Sequence, residues 1–166
     1  MLVGEQPGDQ EDLAGRPFVG PAGKLLDSAL AQAGIPRADV YVTNAVKHFK
    51  WEPRGKRRIH KTPAQAEVDA CYRWLEQELS LVEPQVVVAL GATAARALLH
   101  RPAPIEASRG RLMELSAQSQ LVVTVHPSFV LRVPPESRAQ AYQRFVADLK
   151  IAASALAKAS PGRRRA

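Results

Sequence analysis

Two stretches of this 166-residue chain carry most of the side chains that can do chemistry. The first, Gly4 to Gly23 (GEQPGDQEDLAGRPFVGPAG), holds four carboxylates, Glu5, Asp9, Glu11 and Asp12, with Gln6 and one aromatic, Phe18, among five Gly and three Pro. Gly costs backbone entropy and Pro removes a donor, so this composition predicts a long loop, not a helix or strand interior. A plain turn needs two to six residues, and a loop this long in a compact domain is usually functional. The second stretch, Lys47 to Lys61, sets seven basic residues (Lys47, Lys50, Arg54, Lys56, Arg57, Arg58, Lys61) against one acid, Glu52, interleaved with Phe49 and Trp51. Cations among aromatics suit a phosphate backbone and its bases. A solvated loop is the plain alternative, and a lone loop histidine such as His60 is ordinarily solvated too.

Three further residues stand apart from these stretches. The planar amide of Asn44 offers a donor and an acceptor side by side. His126 opens the tripeptide His126-Pro127-Ser128. Cys71 is the one cysteine, which excludes an internal disulfide framework and any complete cysteine metal site within the chain. Taken alone it reads as a buried, inert thiol.

The elements that must position these groups follow from periodicity. Met1-Leu2-Val3 is an apolar stub before the first loop, and AGKLLDSALAQAG after it repeats Leu25, Leu26, Ala29, Leu30 and Ala33 at helical spacing, with Gly34 as the stop. VYVTN (40 to 44) reads as a strand that delivers Asn44 to its carboxyl end. Thr62-Pro63-Ala64-Gln65 has the form of a capping box with Pro at the first helical position. The helix it opens runs to about Leu81 and carries Val68, Cys71, Trp74, Leu75 and Leu79. QVVVALG (85 to 91) is a buried parallel strand, ATAARALL a short helix, residues 102 to 110 a loop, and RLMEL (111 to 115) a candidate edge strand. LVVTVH (121 to 126) is the next strand and sets His126 at a carboxyl end. A last helix spans roughly Ser137 to Ala157. Alternating strands and helices imply a three-layer α/β/α fold with a central, mainly parallel four-stranded sheet. Glu5, Gln6, Asn44 and His126 then share one rim, at the ends of three strands, where open α/β sheets hold ligands.

Length and composition fit one domain over residues 1–158, with a basic tail at 159–166 whose SPGRRRA sequence reads as disordered. Hydrophobic content of 46% and charged content of 23% are ordinary for a globular chain. The net charge of +7 suggests a polyanionic partner, though Arg163, Arg164 and Arg165 supply part of it. No apolar run is long enough to span a membrane and no signal peptide is visible, so a cytoplasmic monomer is expected.

GEQPG with PFVGPAG downstream, the strand-end Asn in VTNAVKH, and HPS at 126 to 128 together resemble the uracil-DNA glycosylase superfamily, near its iron-sulfur family 4. GKRRIHKTP (55 to 63), with Gln6 in the first motif, is similar to the branch called UdgX, which captures uracil-containing DNA covalently. The resemblance implies a flipped uracil. Phe18 would stack on it, Asn44 would pair with O4 and N3–H, and His126 would donate to O2 as charge develops. His60 would attack the sugar in place of water, with Glu5 balancing charge or orienting it. Gln6, Asp9 and Asp12 would shape the pocket, the two aspartates being equally readable as loop caps. Lys56, Arg57, Arg58, Lys61 and Ser128 would contact DNA, single-stranded by preference.

The resemblance also implies a 4Fe-4S cluster, with Cys71 and His48 as two ligands. Two further family cysteines lie upstream of the first motif, so the ligand set in this chain is incomplete: either the N-terminal part is missing, which is the expectation, or the cluster is absent. Two other functions stay open: a turnover glycosylase releasing uracil by hydrolysis, and a non-catalytic DNA-binding module on the same fold. A nucleotide-binding enzyme fits less well, because GEQPGDQEDLAG has neither GxGxxG nor P-loop spacing.

Overall fold

Short β-branched runs alternating with apolar helical stripes build a βα chain. The computed structural model describes residues 1–159. In order it contains β1 (Leu2–Gly4), α1 (Asp9–Ala14), α2 (Pro21–Gln32), β2 (Val42–Asn44), β3 (Trp51–Arg54), β4 (Arg57–His60), α3 (Gln65–Val82), β5 (Val86–Leu90), α4 (Ala92–Leu99), α5 (Ile105–Ser108), β6 (Leu112–Glu114), β7 (Gln120–Thr124), α6 (Pro127–Arg132) and α7 (Pro135–Ala159). The main sheet has the order β2-β1-β5-β7-β6. Its first four strands are parallel, and β6 pairs antiparallel with β7 at the edge. The expected four-stranded sheet is therefore five-stranded, the candidate edge strand supplying the fifth member.

Side-chain alternation along β5 divides the core in two. Val86, Val88 and Leu90 face Leu26, Leu30, Phe145 and Leu149 from α2 and α7. Val87 and Ala89 face Val68, Cys71, Leu75, Ala94 and Leu98 from α3 and α4. With helices on both faces a strand has no solvent side, which is why β5 reads as one unbroken apolar run. Each fully buried Leu on these faces contributes about 1.5–3 kcal/mol relative to exposure. Among the described residues, no helix is long and apolar enough to cross a membrane.

Several local expectations change. The Gly-rich first stretch contains α1, a single helix of six residues with three acids in its first turn, where the helix dipole favours negative charge. The basic stretch is a two-stranded antiparallel hairpin, with Trp51 opposite His60 and Arg54 opposite Arg57. Alternation there was hidden because β3 is exposed throughout and both strands carry charged residues, with only Arg58 and Ile59 of β4 half-buried. Helix α3 starts after Ala64, not Thr62: Glu67 Oε2 accepts from the Ala64 N–H at 2.5 Å, and Pro63 stays outside the helix. Trp74, counted with the apolar stripe of α3, is exposed. The loop at 102 to 110 carries the one-turn α5, and His126-Pro127 opens α6. The SPGRRRA tail lies outside the described residues.

Candidate active site

Parallel strands aim their carboxyl ends at one rim, and the rim residues converge on a cleft of about 610 Å³. Glu5 and Gln6 leave β1, Asn44 ends β2, and His126 follows β7, so the expected convergence is present in the structure. Phe18, His60, Ser128 and Arg132 complete the wall. A larger, more open groove of about 1100 Å³ lies at the other end of the sheet beside α7. It contains none of the candidate residues, so size alone does not locate the chemistry.

The base-reading side of the cleft is buried and close-packed. Asn44 is buried, and among the described residues its Oδ1 is the one buried side-chain polar atom without a hydrogen-bond partner. Leaving an acceptor buried and unpaired costs about 1–3 kcal/mol, so such an atom calls for a ligand donor. The amide sits so close to β1 that a Cβ on Gly4 would lie 2.4 Å from Asn44 Oδ1 and 2.7 Å from Phe18 Cζ. Phe18 itself is held at φ 55°, a left-handed conformation costly for an aromatic residue. Its carbonyl comes so near α2 that a Cβ on Gly23 would lie 1.8 Å from the Phe18 oxygen. Its ring packs 5.7 Å from the ring of His126 at 29°.

His126 is kept neutral. Burial lowers its pKa from 6.5 to about 4 against the raising influence of Glu5. Its Nδ1 accepts from the Ser128 N–H at 3.2 Å and lies 2.8 Å from Ser128 Oγ. A nitrogen that accepts a backbone N–H carries no proton, which places the ring proton on Nε2. Ser128 Oγ also accepts from Arg132 at 3.0 Å, leaving its hydroxyl proton for Nδ1. Ser128, expected at the DNA surface, thus also fixes the His126 tautomer.

The other wall is the β3–β4 hairpin, and polar contacts dock it. Lys61 N donates to Lys50 O at 2.9 Å, but the reciprocal bond is replaced by Gln6. Gln6 Oε1 accepts from Lys50 N at 3.1 Å, while Nε2 donates to Lys61 O at 3.2 Å and Lys50 O at 3.1 Å. The side-chain amide therefore wedges into the base of the hairpin like a peptide unit. Arg58 donates to Asp9 Oδ1 and Asp12 Oδ2, each at 2.6 Å, and lies 5.3 Å over Phe49. Asp9 and Asp12, read as pocket-shaping residues or loop caps, pair with Arg58, and neither lines the cleft. Arg58 is thereby occupied. Lys56 and Arg57 are exposed at the hairpin turn, and exposed Lys61 pairs with Glu52 at 3.2 Å.

The two walls meet at Glu5. Its Oε1 lies 3.1 Å from His60 Nε2, and its Oε2 accepts from Thr93 Oγ1 at 2.5 Å. Burial works against its charge, but hydrogen bonds from His60 and Thr93 outweigh that and lower its pKa. His60, half exposed, tilts over the buried Phe49 with ring centroids 6.3 Å apart. A carboxylate held between a hydroxyl and an imidazole can balance positive charge on the ring. Thr93 and Arg132 were not singled out from sequence. Thr93 sits in an ordinary-looking ATAARALL helix, whereas Arg132 falls one turn beyond Ser128 and could have been found from that spacing.

Cys71 and His48 are brought together, Sγ to Nε2 at 3.5 Å, with Cys71 buried and His48 exposed. Among the described residues no group of three or more His, Cys, Asp or Glu could hold a metal ion. A four-iron cluster takes four protein ligands, so the residues present fit half of one such site.

The sequence is similar to those of known proteins. A model of the family described as the uracil DNA glycosylase superfamily matches residues 1–150. The chain is 40% identical over 141 residues to the type-4 uracil-DNA glycosylase of Pyrobaculum aerophilum, covering 81% of this chain and 68% of that protein. It is 40% identical over 133 residues to the type-4 enzyme of Thermotoga maritima, covering 80% and 66%. Similarity of 33% over 163 residues extends to a DNA polymerase of Bacillus phage SP01, covering 97% of this chain and 16% of that one. The chain spans about two thirds of the length of these type-4 relatives.

Proposed function

The chain belongs to the uracil DNA glycosylase superfamily, and on that footing we propose that it excises uracil from DNA and that His60 captures the abasic sugar, as in UdgX. The observation that carries the base assignment is Asn44, whose Oδ1 is buried and unpaired and whose side chain lines a cleft walled by Phe18 and His126. Uracil presents N3–H to that acceptor and O4 to the amide N–H, whereas cytosine presents a bare N3 and an amino group, reversing both partners.

Bond breaking proceeds with the electron pair of the glycosidic bond leaving on uracil N1 and O2. The Nε2–H of neutral His126 stabilises that charge without giving up its proton. The sugar C1′ is left electron-poor. An imidazole lone pair of His60 then forms the new bond to C1′, making a cationic alkylated ring whose charge Glu5 balances from 3.1 Å. The hairpin geometry and the match to GKRRIHKTP support this reading. Hydrolytic turnover is the second reading, favoured by the type-4 relatives.

Denaturing electrophoresis after mixing with single-stranded uracil DNA separates the two. Capture gives a DNA band shifted by the mass of the protein. His60→Ser should lose that band and retain or gain uracil release, seen as alkali-labile abasic DNA. Free abasic product from the unaltered chain, with no shifted band, overturns capture in favour of turnover.

A further inference from the structure

We propose that Trp51 is a stacking platform for the base next to the excised uracil in single-stranded DNA, a proposal that rests on the uracil-excision reading above. The basic hairpin carries two aromatics with different fates. Phe49 is 8% exposed and lies under His60 and Arg58, so it is unavailable to a ligand. Trp51 is 43% exposed.

Position gives that exposure a meaning. Trp51 pairs directly with His60 in the antiparallel ladder, and Lys61 N to Lys50 O marks the neighbouring pair as the hydrogen-bonded one. Trp51 and His60 are therefore a non-hydrogen-bonded pair, whose side chains share a face with Cβ atoms about 4.5–5.5 Å apart. A sugar within reach of His60 brings its neighbouring nucleotide to the indole. The Arg58 guanidinium, itself fixed on Asp9 and Asp12, lies over one face of the indole, 5.7 Å from the ring centroid, which leaves the other face for a base.

Charge complements the platform. Lys56 is exposed at the hairpin turn, where its charge suits a flanking phosphate, whereas Arg54 and Arg57, three positions along the ladder from Trp51 and His60, project from the opposite face. Stacking on an aromatic accepts any base, because every base has a π-face. In a duplex the neighbouring base is paired and stacked already, so Trp51 favours single strands.

Uracil release should be timed on a single-stranded oligonucleotide and on versions with a stable abasic spacer replacing the base on the 5′ or the 3′ side of the uracil. One spacer should lower the single-turnover rate constant of uracil release by the unaltered protein, at subsaturating protein, about tenfold. Trp51→Ala should begin about tenfold lower on the natural strand and lose less than twofold more with that spacer, while Trp51→Phe stays near the unaltered protein. Equal spacer losses in Trp51→Ala and the unaltered protein, or no spacer loss at all, would overturn the proposal. A purely structural role would lower the single-turnover rate of uracil release on every substrate alike. Because the chain has two tryptophans, Trp74→Phe leaves Trp51 as sole reporter. Its fluorescence should be quenched by uracil-free single-stranded DNA, an outcome that stands even if uracil release fails, and unchanged fluorescence would refute stacking independently.

Discussion

The two walls of the cleft are built by opposite means. The rim that would read the base consists of strand ends whose neighbours are fully buried, so Asn44, Phe18 and His126 are set by core packing and two close glycine approaches. The hairpin that carries His60 buries little apolar surface and is docked by Gln6, by the Arg58 ion pairs and by the Glu5 contact. One wall is a product of the fold and the other of a few polar latches. Base recognition and sugar capture should therefore be separable by mutation.

The largest effect should come from the rim. Asn44→Ala removes the paired donor and acceptor and should cut single-turnover uracil release about a thousandfold, with capture falling in step because it follows bond breaking. A loss below tenfold would move base recognition off this rim. Gln6→Ala comes next and attacks the latch. It deletes three hydrogen bonds at the hairpin base, and displacing a reacting group by about 1 Å can cost a hundredfold. Capture should fall about a hundredfold while release falls much less. Equal losses in the two assays would mean that the hairpin is part of bond breaking and that the walls are one unit.

The same contrast explains what the sequence made legible. Parallel strands, helices and the rim emerged from apolar periodicity, because burial imposes a period that residues 85–91 and 121–126 display openly. The motif residues Glu5, Asn44 and His126 could be placed at strand ends for that reason. The hairpin left no such signature: WEPR and RRIH carry charged side chains on both faces, and Pro53 lies in β3 of an isolated two-stranded ribbon, where strand propensities give no guide. Helix α1 was hidden by five glycines nearby. The turn of Asp9 and Asp12 toward Arg58 depends on that helix and hairpin together, so no local pattern could reveal it.

A third test reads the rim through pH. The folded state holds His126 neutral with a pKa near 4, whereas the unfolded chain titrates near 6.5. Between those values the unfolded state binds the extra proton, so this group's contribution to stability falls as pH drops from 6.5 towards 4. From pH 7 to pH 5 that amounts to about 2 kcal/mol, roughly a thirtyfold change in the unfolding constant. Urea titrations at the two pH values should show it, and His126→Gln should reduce the difference by about that amount. An unchanged difference in His126→Gln would mean that His126 titrates freely and is not buried as described.

The smallest effect tests the latch between Glu5 and His60. Thr93 Oγ1 donates to Glu5 Oε2 at 2.5 Å, which leaves Oε1 aimed at His60. Burial disfavours the Glu5 charge, and the hydrogen bonds from His60 and Thr93 outweigh it to keep the carboxyl below its usual range. Thr93→Val retains the volume but withdraws one of those donors, so the Glu5 pKa should rise. A carboxylate with a raised pKa loses its charge at a higher pH as acid is added, and a neutral Glu5 cannot balance the alkylated ring. Capture by Thr93→Val should therefore be close to that of the unaltered protein at pH 7.5 and several-fold slower at pH 5, the acid limb of the profile moving to higher pH. Thr93→Ser, which keeps the hydroxyl, should restore the original limb. A uniform loss across the whole pH range would instead mean that Thr93 only packs α4 against the rim, and that the Glu5 charge is governed by the hairpin side alone.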